Sequence, residues 1–430
     1  MTYPTIRPAL TLDFEKSKKL DPRITFTRSS TATYLDAATG LIKTAPSGVA
    51  RFEKEGLLAE EARTNIIRES TNLNNTSEWN TSVNPGSINQ ASNQGWMVAT
   101  ANTTEIVAPD GTYSACKLSG NTASINDKNY RVHVIPKDGT HSMAATTVYS
   151  YSVFINDPDG VIDSRYVLEF QHGSKFSNTN GRAEFDLVNN TVTYGYVTNS
   201  QPGKIESYPN GWKKLTATFD SASAGGPRFS LREITPLTNN VTQFSANGEK
   251  FYVWGFQIEE GSFPTSYIPT SGTTVPRSAD VTSITGTNFS SWFTFGDHTT
   301  LAEWNRDDIN QRVFVYRYMQ AANQSAEFLE QMDIDSNNVV DVNTWFGQKS
   351  FGNAIDINGK AALAVTDGDA SFAVGGSLIA GSTRAPSSGP TTRMVIGWND
   401  PNGQYFNGHI SRILFYPTRV SDASLQELTS

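Results

Sequence analysis

Tight-turn pairs recur along this 430-residue chain and constrain it more than any other signal. Asn-Gly begins at Asn180, Asn210, Asn247, Asn358, Asn402 and Asn407, and Asp-Gly at Asp110, Asp138, Asp159 and Asp367. Such pairs supply the positive φ angles that two-residue hairpin turns require, so the chain reverses on itself at short intervals. Between them the sequence alternates with period two. Tyr149, Tyr151, Val153 and Ile155 interleave with Ser150 and Ser152, and Leu215, Ala217 and Phe219 interleave with Thr216 and Thr218. That period puts apolar side chains on one face of a strand. The expected class is all-β, built as β-sandwiches or jelly rolls. Helical signals are sparse: residues 57–67 suggest one or two turns, and Ser421 reads as the cap of a terminal turn, accepting from backbone amides near Ser424.

A chain of this length has room for two large all-β domains. Composition divides it into an N-terminal segment, 1–68, holding much of the early charge; a middle domain, 69–270, closing on the aromatic run from Phe251 to Phe256; and a last domain, 271–430, with Trp292, Trp304, Trp345 and Trp398 for its own core. The three prolines and polar residues between Pro264 and Pro276 read as an extended linker. Trp79, Trp96, Trp212 and Trp254 read as core anchors of the middle domain.

Lys and Arg number 34 against 42 Asp and Glu, a net charge of −8 without a block of like charges, so most of the surface repels phosphate and nucleic acid is not an expected partner. Charged residues make up 18 %, below the roughly 25 % usual in soluble domains. No apolar run approaches the length of a membrane span, and no apolar core at the start marks a signal peptide. Membrane insertion is therefore not expected, and release by cell lysis is. The single cysteine, Cys116, has no intrachain partner.

Cleaving a glycan takes two carboxylates across a cleft. The adjacent pairs Glu259-Glu260 and Asp307-Asp308 point to opposite faces on a strand, and no other acid pair is recognisable. Asp333, Asp335, Asn337 and Asp341 resemble the oxygen-rich start of a calcium loop. The pattern fails at Asn338, where glycine is required, and at Thr344, where a glutamate should close it. A hairpin turn at Ser336-Asn337-Asn338 accounts for the same letters. The five histidines, His133, His141, His172, His298 and His409, lack metal-ligand spacing. The chain is expected to be a non-enzyme with no catalytic residues, no metal ligands and no cofactor, calcium being the one ion with any pattern in its favour.

Sugar binding uses aromatic faces with hydroxyl-fixing amides and acids nearby. Trp345 stands near Asn343 and Gln348, and Trp398 is followed by Asn399, Asp400, Asn402, Gln404 and Tyr405. Trp398 alternates with Met394 and Ile396 as a buried face would, whereas Tyr405 lies between two Asn-Gly turns. The candidate carbohydrate contacts are Tyr405, Trp398, Trp345 and Asn402.

Leu12-Asp-Phe14, the run from Leu20 to Tyr34 and the run from Gly56 to Asn65 resemble a segment of tailed-bacteriophage virion proteins, particularly tail-fibre and other particle-surface proteins. Phe185-Asp-Leu187, Gly211-Trp212, the run from Trp254 to Gly261, the run from Thr265 to Thr270 and Arg277-Ser-Ala-Asp280 are similar to the same group. There they belong to a sandwich resembling carbohydrate-binding modules. The run from Asn407 to Arg419 and the closing Ser421 to Leu428 resemble a concanavalin A-like, laminin-G-like sandwich. The resemblance implies two β-sandwich domains, jelly-roll and concanavalin A-like, with an extended N-terminal segment packed on them. It implies a structural protein of a phage virion, a tail fibre or host-contacting appendage, assembled as a homotrimer with other virion proteins and touching host-surface glycans. A capsid-surface decoration protein and a particle-borne glycan depolymerase are the alternatives within that reading; a free lectin lies outside it.

Overall fold

The computed structural model describes residues 6–75, 77–81, 97–120, 131–136, 143–158, 165–170, 181–195, 203–221, 229–234, 250–306, 312–319, 328–336, 339–344, 347–350, 358–366, 369–382, 391–399 and 403–430. Their strands are antiparallel, and the chain is all-β in class with β-sandwich architecture. Two compact units divide it. The first joins Met1–Ala38 and Thr44–Ala62 to Ser278–Ser430, and the second holds Thr39–Lys43 and Arg63–Arg277.

In the second unit, one six-stranded sheet runs Lys204–Ser207, Lys213–Ser221, Thr147–Asn156, Lys250–Glu260, Cys116–Gly120, Met97–Thr100. The other runs Thr191–Gly195, Gly181–Asp186, Arg165–Phe170, Phe229–Ile234, Arg131–Pro136, Trp79–Thr81. The alternation read from the sequence builds the core between them: Tyr149, Tyr151, Val153, Ile155, Leu215, Ala217 and Phe219 pack with Trp79, Ala183 and Phe185. Trp79, Trp212 and Trp254 are all buried, as expected, while Trp96 lies outside the described residues.

The interleaved polar residues are buried as well, because a second layer covers their face. Ser150 Oγ donates to the Gly261 carbonyl at 2.7 Å and Thr218 Oγ1 to the Ser262 carbonyl at 3.3 Å. The supposed linker supplies part of this layer. Tyr267 packs its ring 4.4 Å from Trp254, and its hydroxyl pairs with Ser70 Oγ at 2.6 Å. Glu259 accepts from the Thr265 amide at 2.9 Å and from Gln257 at 2.8 Å. Asn65 donates to the carbonyls of Phe256 at 3.2 Å and Ile268 at 2.9 Å and accepts from Ile67 and Ile258. Prolines and polar residues spell a linker only when nothing satisfies their backbone; here buried side chains do.

In the first unit, an eight-stranded sheet runs Ser377–Ser382, Asp369–Val374, Asn358–Thr366, His298–Arg306, Gly408–Tyr416, Gly56–Ala59, Arg51–Glu53, and Leu10–Asp13 also pairs with Gly408–Tyr416. A seven-stranded sheet runs Thr25–Thr27, Val281–Thr285, Arg393–Ile396, Val313–Met319, Phe328–Ile334, Val340–Thr344, Gly347–Ser350. Between them stand Trp292, Phe293, Tyr318 and Phe415, with ring centroids 5.0–6.3 Å apart. The N-terminal residues thus contribute strands to both sheets. Residues 57–67 form strands, Gly56–Ala59 and Arg63–Asn65, where the sequence suggested helical turns. Pairing of Gly56–Ala59 on both sides outweighs the weak local preference.

One buried charge cluster fastens these strands. Asp280 accepts from Arg28 Nη1 at 3.0 Å, from Arg51 Nη2 and from the Glu60 amide at 3.0 Å, and Arg51 also pairs with Glu60 at 2.7 Å. On the other face of the eight-stranded sheet lies the helix Asp422–Thr429, with Leu425 and Leu428 against Leu301, Ala362, Ala364 and Leu414. Ser421 caps it, accepting from the Ser424 amide at 3.2 Å as the sequence implied.

Candidate functional site

Arg393–Ile396 sends Met394 and Ile396 into the core, and the alternation that would bury Trp398 with them stops at Gly397. Gly397 has φ +74°, and a Cβ there would lie 2.9 Å from Ala59 Cβ, so only glycine fits. Its amide donates to the Val315 carbonyl, and its carbonyl accepts from the Phe406 amide. The chain leaves the sheet here as a short hairpin in which Trp398 pairs with Tyr405 and Asn399 with Gln404. Residues directly opposed on antiparallel strands share a face. Trp398 and Tyr405 therefore stand side by side, both half-buried.

Trp398 Nε1 donates to the Thr282 carbonyl at 2.9 Å, which fixes one edge of the indole. At the base of the hairpin Asn407, at φ +54°, donates to Glu61 at 3.0 Å and to the Tyr405 carbonyl at 3.2 Å. Two of the four sequence candidates are thus brought together on a pair of strands braced at its base. Trp345 and Asn402 lie outside the described residues.

A second cluster joins two of the calcium-like letters to residues that the sequence does not connect with them. Phe314, Asp333 and Asp341 sit in one row across three strands of the seven-stranded sheet, and Arg317 faces Gln331 in a neighbouring row. Arg312 Nη2 lies 2.8 Å from Asp333 Oδ2 and 3.8 Å from Asp341 Oδ2, and Gln331 Nε2 donates to Asp333 at 2.7 Å. The guanidinium groups of Arg317 and Arg312 approach the Phe314 ring at 5.2 and 5.9 Å. Burial pushes Asp333 up from 3.8 to about 7; Arg312 pulls against it and the neighbouring Asp341 adds to it. Asp335 accepts from the Val339 amide at 2.9 Å within the hairpin between Ile334 and Val340. Of the letters that resembled a calcium loop, Asp333 and Asp341 lie on the two strands and Asp335 follows the first, while Asn337 and Asn338 lie outside the described residues.

Other polar groups are held within the fold. His298 Nε2 meets Glu330 at 2.7 Å, Tyr316 donates to Glu330 at 2.6 Å, and the hydroxyls of Tyr318 and Thr300 lie 3.1 Å apart. Burial and then Glu330 push both phenols well above their ordinary value. These groups bridge the two sheets in the core. Burial likewise pushes the Cys116 thiol up to about 11, which makes it a poor nucleophile.

No protein-family model matches the sequence, and no curated protein matches it. Similar solved structures include the CBM40 of a Ruminococcus gnavus IT-sialidase bound to α2,3-sialyllactose, 13 % identical over 33 % of this chain and 88 % of that one, with a TM-score of 0.29. A Trypanosoma rangeli sialidase in complex with the inhibitor DANA is 10 % identical over 73 % of this chain and 60 % of that one, with a TM-score of 0.28. Domains LG4–5 of the mouse laminin α1 chain are 8 % identical over 69 % and 88 %, with a TM-score of 0.22. The first and last of these are the kinds of sandwich named in the resemblance. At these scores none of the three assigns an activity.

The expectation of a non-enzyme is corrected by withdrawing it: sialidases stand among the similar structures, and likenesses at these scores put no activity in its place. Asp333 and Asp341 are opposed as neighbours in the sheet, but both are buried against Arg312 and do not face each other across a cleft.

Proposed function

We propose that this protein is a glycan-contacting structural protein of a tailed-phage particle, working as a homotrimer at a tail fibre or host-contacting appendage. The observation that carries the glycan part is the pairing of Trp398 with Tyr405 on one face of a braced hairpin. Two partly exposed rings held side by side offer a sugar apolar C–H contact without ordering cost, since the hairpin holds them in place beforehand. Weak single sites become firm attachment when several copies act together. The virion part rests on the resemblance, and many of its letters have structural work to do: Arg28, Glu60 and Asp280 meet in one buried cluster, and Asn65, Gln257, Glu259 and Thr265 contribute to the packing of the second unit.

Immunogold labelling of particles purified from a lysate of the source tests the placement. Label on the tail or its appendages is expected. Label over the head makes the chain a capsid-surface decoration protein, and unlabelled particles overturn the virion reading.

A second reading, a particle-borne glycan depolymerase, is favoured by Asp333, which titrates near neutrality beside Asp341. Both carboxylates are buried against Arg312, so proton transfer to a substrate requires that arginine to move aside. New reducing ends released from a host polysaccharide, and abolished by Asp333→Asn, support it; no release by the wild-type chain removes it.

A further inference from the structure

We propose that Glu53, Glu55 and His409 form a binding site for a divalent transition-metal ion, zinc or manganese in class. One ligand atom from each of the three side chains lies within 4.8 Å of the others, although 356 positions separate Glu53 from His409. The sheet brings them together. His409 faces Leu58 on the neighbouring strand, and Leu58 faces Arg51 on the next, so the three share one face. Glu53, two residues beyond Arg51, lies on that face too. Glu55 sits in the turn that joins Arg51–Glu53 to Gly56–Ala59.

Glu53 is braced from outside the cluster, and the turn that carries Glu55 is held at its backbone. The Leu35 amide donates to Glu53 Oε1 at 2.7 Å, while Glu53 Oε2 lies 3.1 Å from His409 Nε2. Ser411 Oγ donates to the Glu55 carbonyl at 2.7 Å, and Lys18 Nζ donates to the carbonyls of Glu53 at 2.5 Å and Lys54 at 2.7 Å. Gly56, at φ +135°, presses the turn onto the strand of His409, where any Cβ would run into the Ile410 backbone. Outer hydrogen bonds of this kind orient ligands before an ion arrives. The Leu35 amide holds the Glu53 carboxylate beside His409, so the cluster is not merely an acidic surface.

One imidazole nitrogen with two carboxylates matches the mixed nitrogen and oxygen preference of zinc and manganese better than the all-oxygen shells of calcium. Two negative charges offset the charge of a divalent ion. All three side chains are half-buried, which leaves coordination positions for water or for a donor from another molecule.

The test uses the full chain, freed of metal with EDTA and titrated with zinc chloride, read by native mass spectrometry and calorimetry. One zinc per chain is expected, with affinity reduced at least tenfold in Glu55→Gln and in His409→Gln. Zinc is also expected to raise the melting temperature of the wild type and not of either variant. Melting in EDTA guards against misfolding, since a variant that melts with the wild type there has kept its fold. If His409→Gln alone misfolds, Glu55→Gln decides. Absence of zinc binding, or binding undiminished in the folded variants, overturns the proposal and leaves Glu53 and His409 as an ion pair only.

Discussion

Asp333→Asn keeps the shape of the side chain and removes its charge. In the folded chain burial lifts Asp333 from 3.8 to about 7, so between those values the folded state holds a proton that the unfolded chain has released. A carboxyl raised in this way adds stability that is fully present below the unfolded value and is lost as pH rises through the folded one. Each tenfold change in proton affinity is worth about 1.4 kcal/mol, which puts the whole loss on the order of 4 kcal/mol. Asparagine has no such proton to release. Its advantage over the wild type should therefore grow by roughly 3 kcal/mol between pH 5 and pH 8. Urea unfolding at the two pH values, read by pulse hydrogen exchange on peptides covering Phe328–Ile334 and Val340–Thr344, measures this at the site. Parallel pH profiles for the two proteins, or a wild type that gains on the variant as pH rises, would refute the reasoning. Parallel profiles would mean that Arg312 balances burial and Asp341 together, and the reverse trend that it outweighs them.

Asp280→Asn removes the charge shared by two buried guanidinium groups, leaving Arg51 with Glu60 and Arg28 with the Pro46 and Val49 carbonyls, and should cost about 3–5 kcal/mol, read by calorimetry as a lower first transition. Ser421→Ala removes the cap of the helix Asp422–Thr429 and should cost about 1 kcal/mol, seen as faster amide exchange over that helix alone. Gly56→Ala puts a Cβ against the Ile410 backbone at a φ that only glycine adopts easily, and a loss of roughly 3 kcal/mol in urea unfolding is expected.

Local chemistry was legible in the sequence, and contacts between distant letters were not. Asn210 and Gly211 take φ of +59° and +79°, as their dipeptide demands, and Ser421 caps the helix its letters announce. Period two in Tyr149 to Ile155 found the core of the second unit. It is silent on the burial of Ser150 and Ser152, which depends on the layer added by residues 261–270. The same blindness made a linker of Pro264 to Pro276 and helical turns of residues 57–67. Trp398 escaped the buried face at one glycine, Gly397, which periodicity counts as a neutral letter. Asp333 and Asp341 read as calcium-like letters and not as cross-strand neighbours, since the register that opposes them is set by a hairpin. Glu53, Glu55 and His409 left no sequence signal, for the spacing that joins them runs across strands.

The most direct test of the central claim is binding of the full chain to immobilised capsular and O-antigen polysaccharides of the host, compared with Trp398→Ala, Tyr405→Ala and the double variant. The account predicts binding by the wild type, a loss of at least tenfold in each single variant, equal to about 1.4 kcal/mol, and none detectable in the double variant with the fold intact. Binding unchanged in the folded double variant, or no polysaccharide held by the wild type, would contradict it.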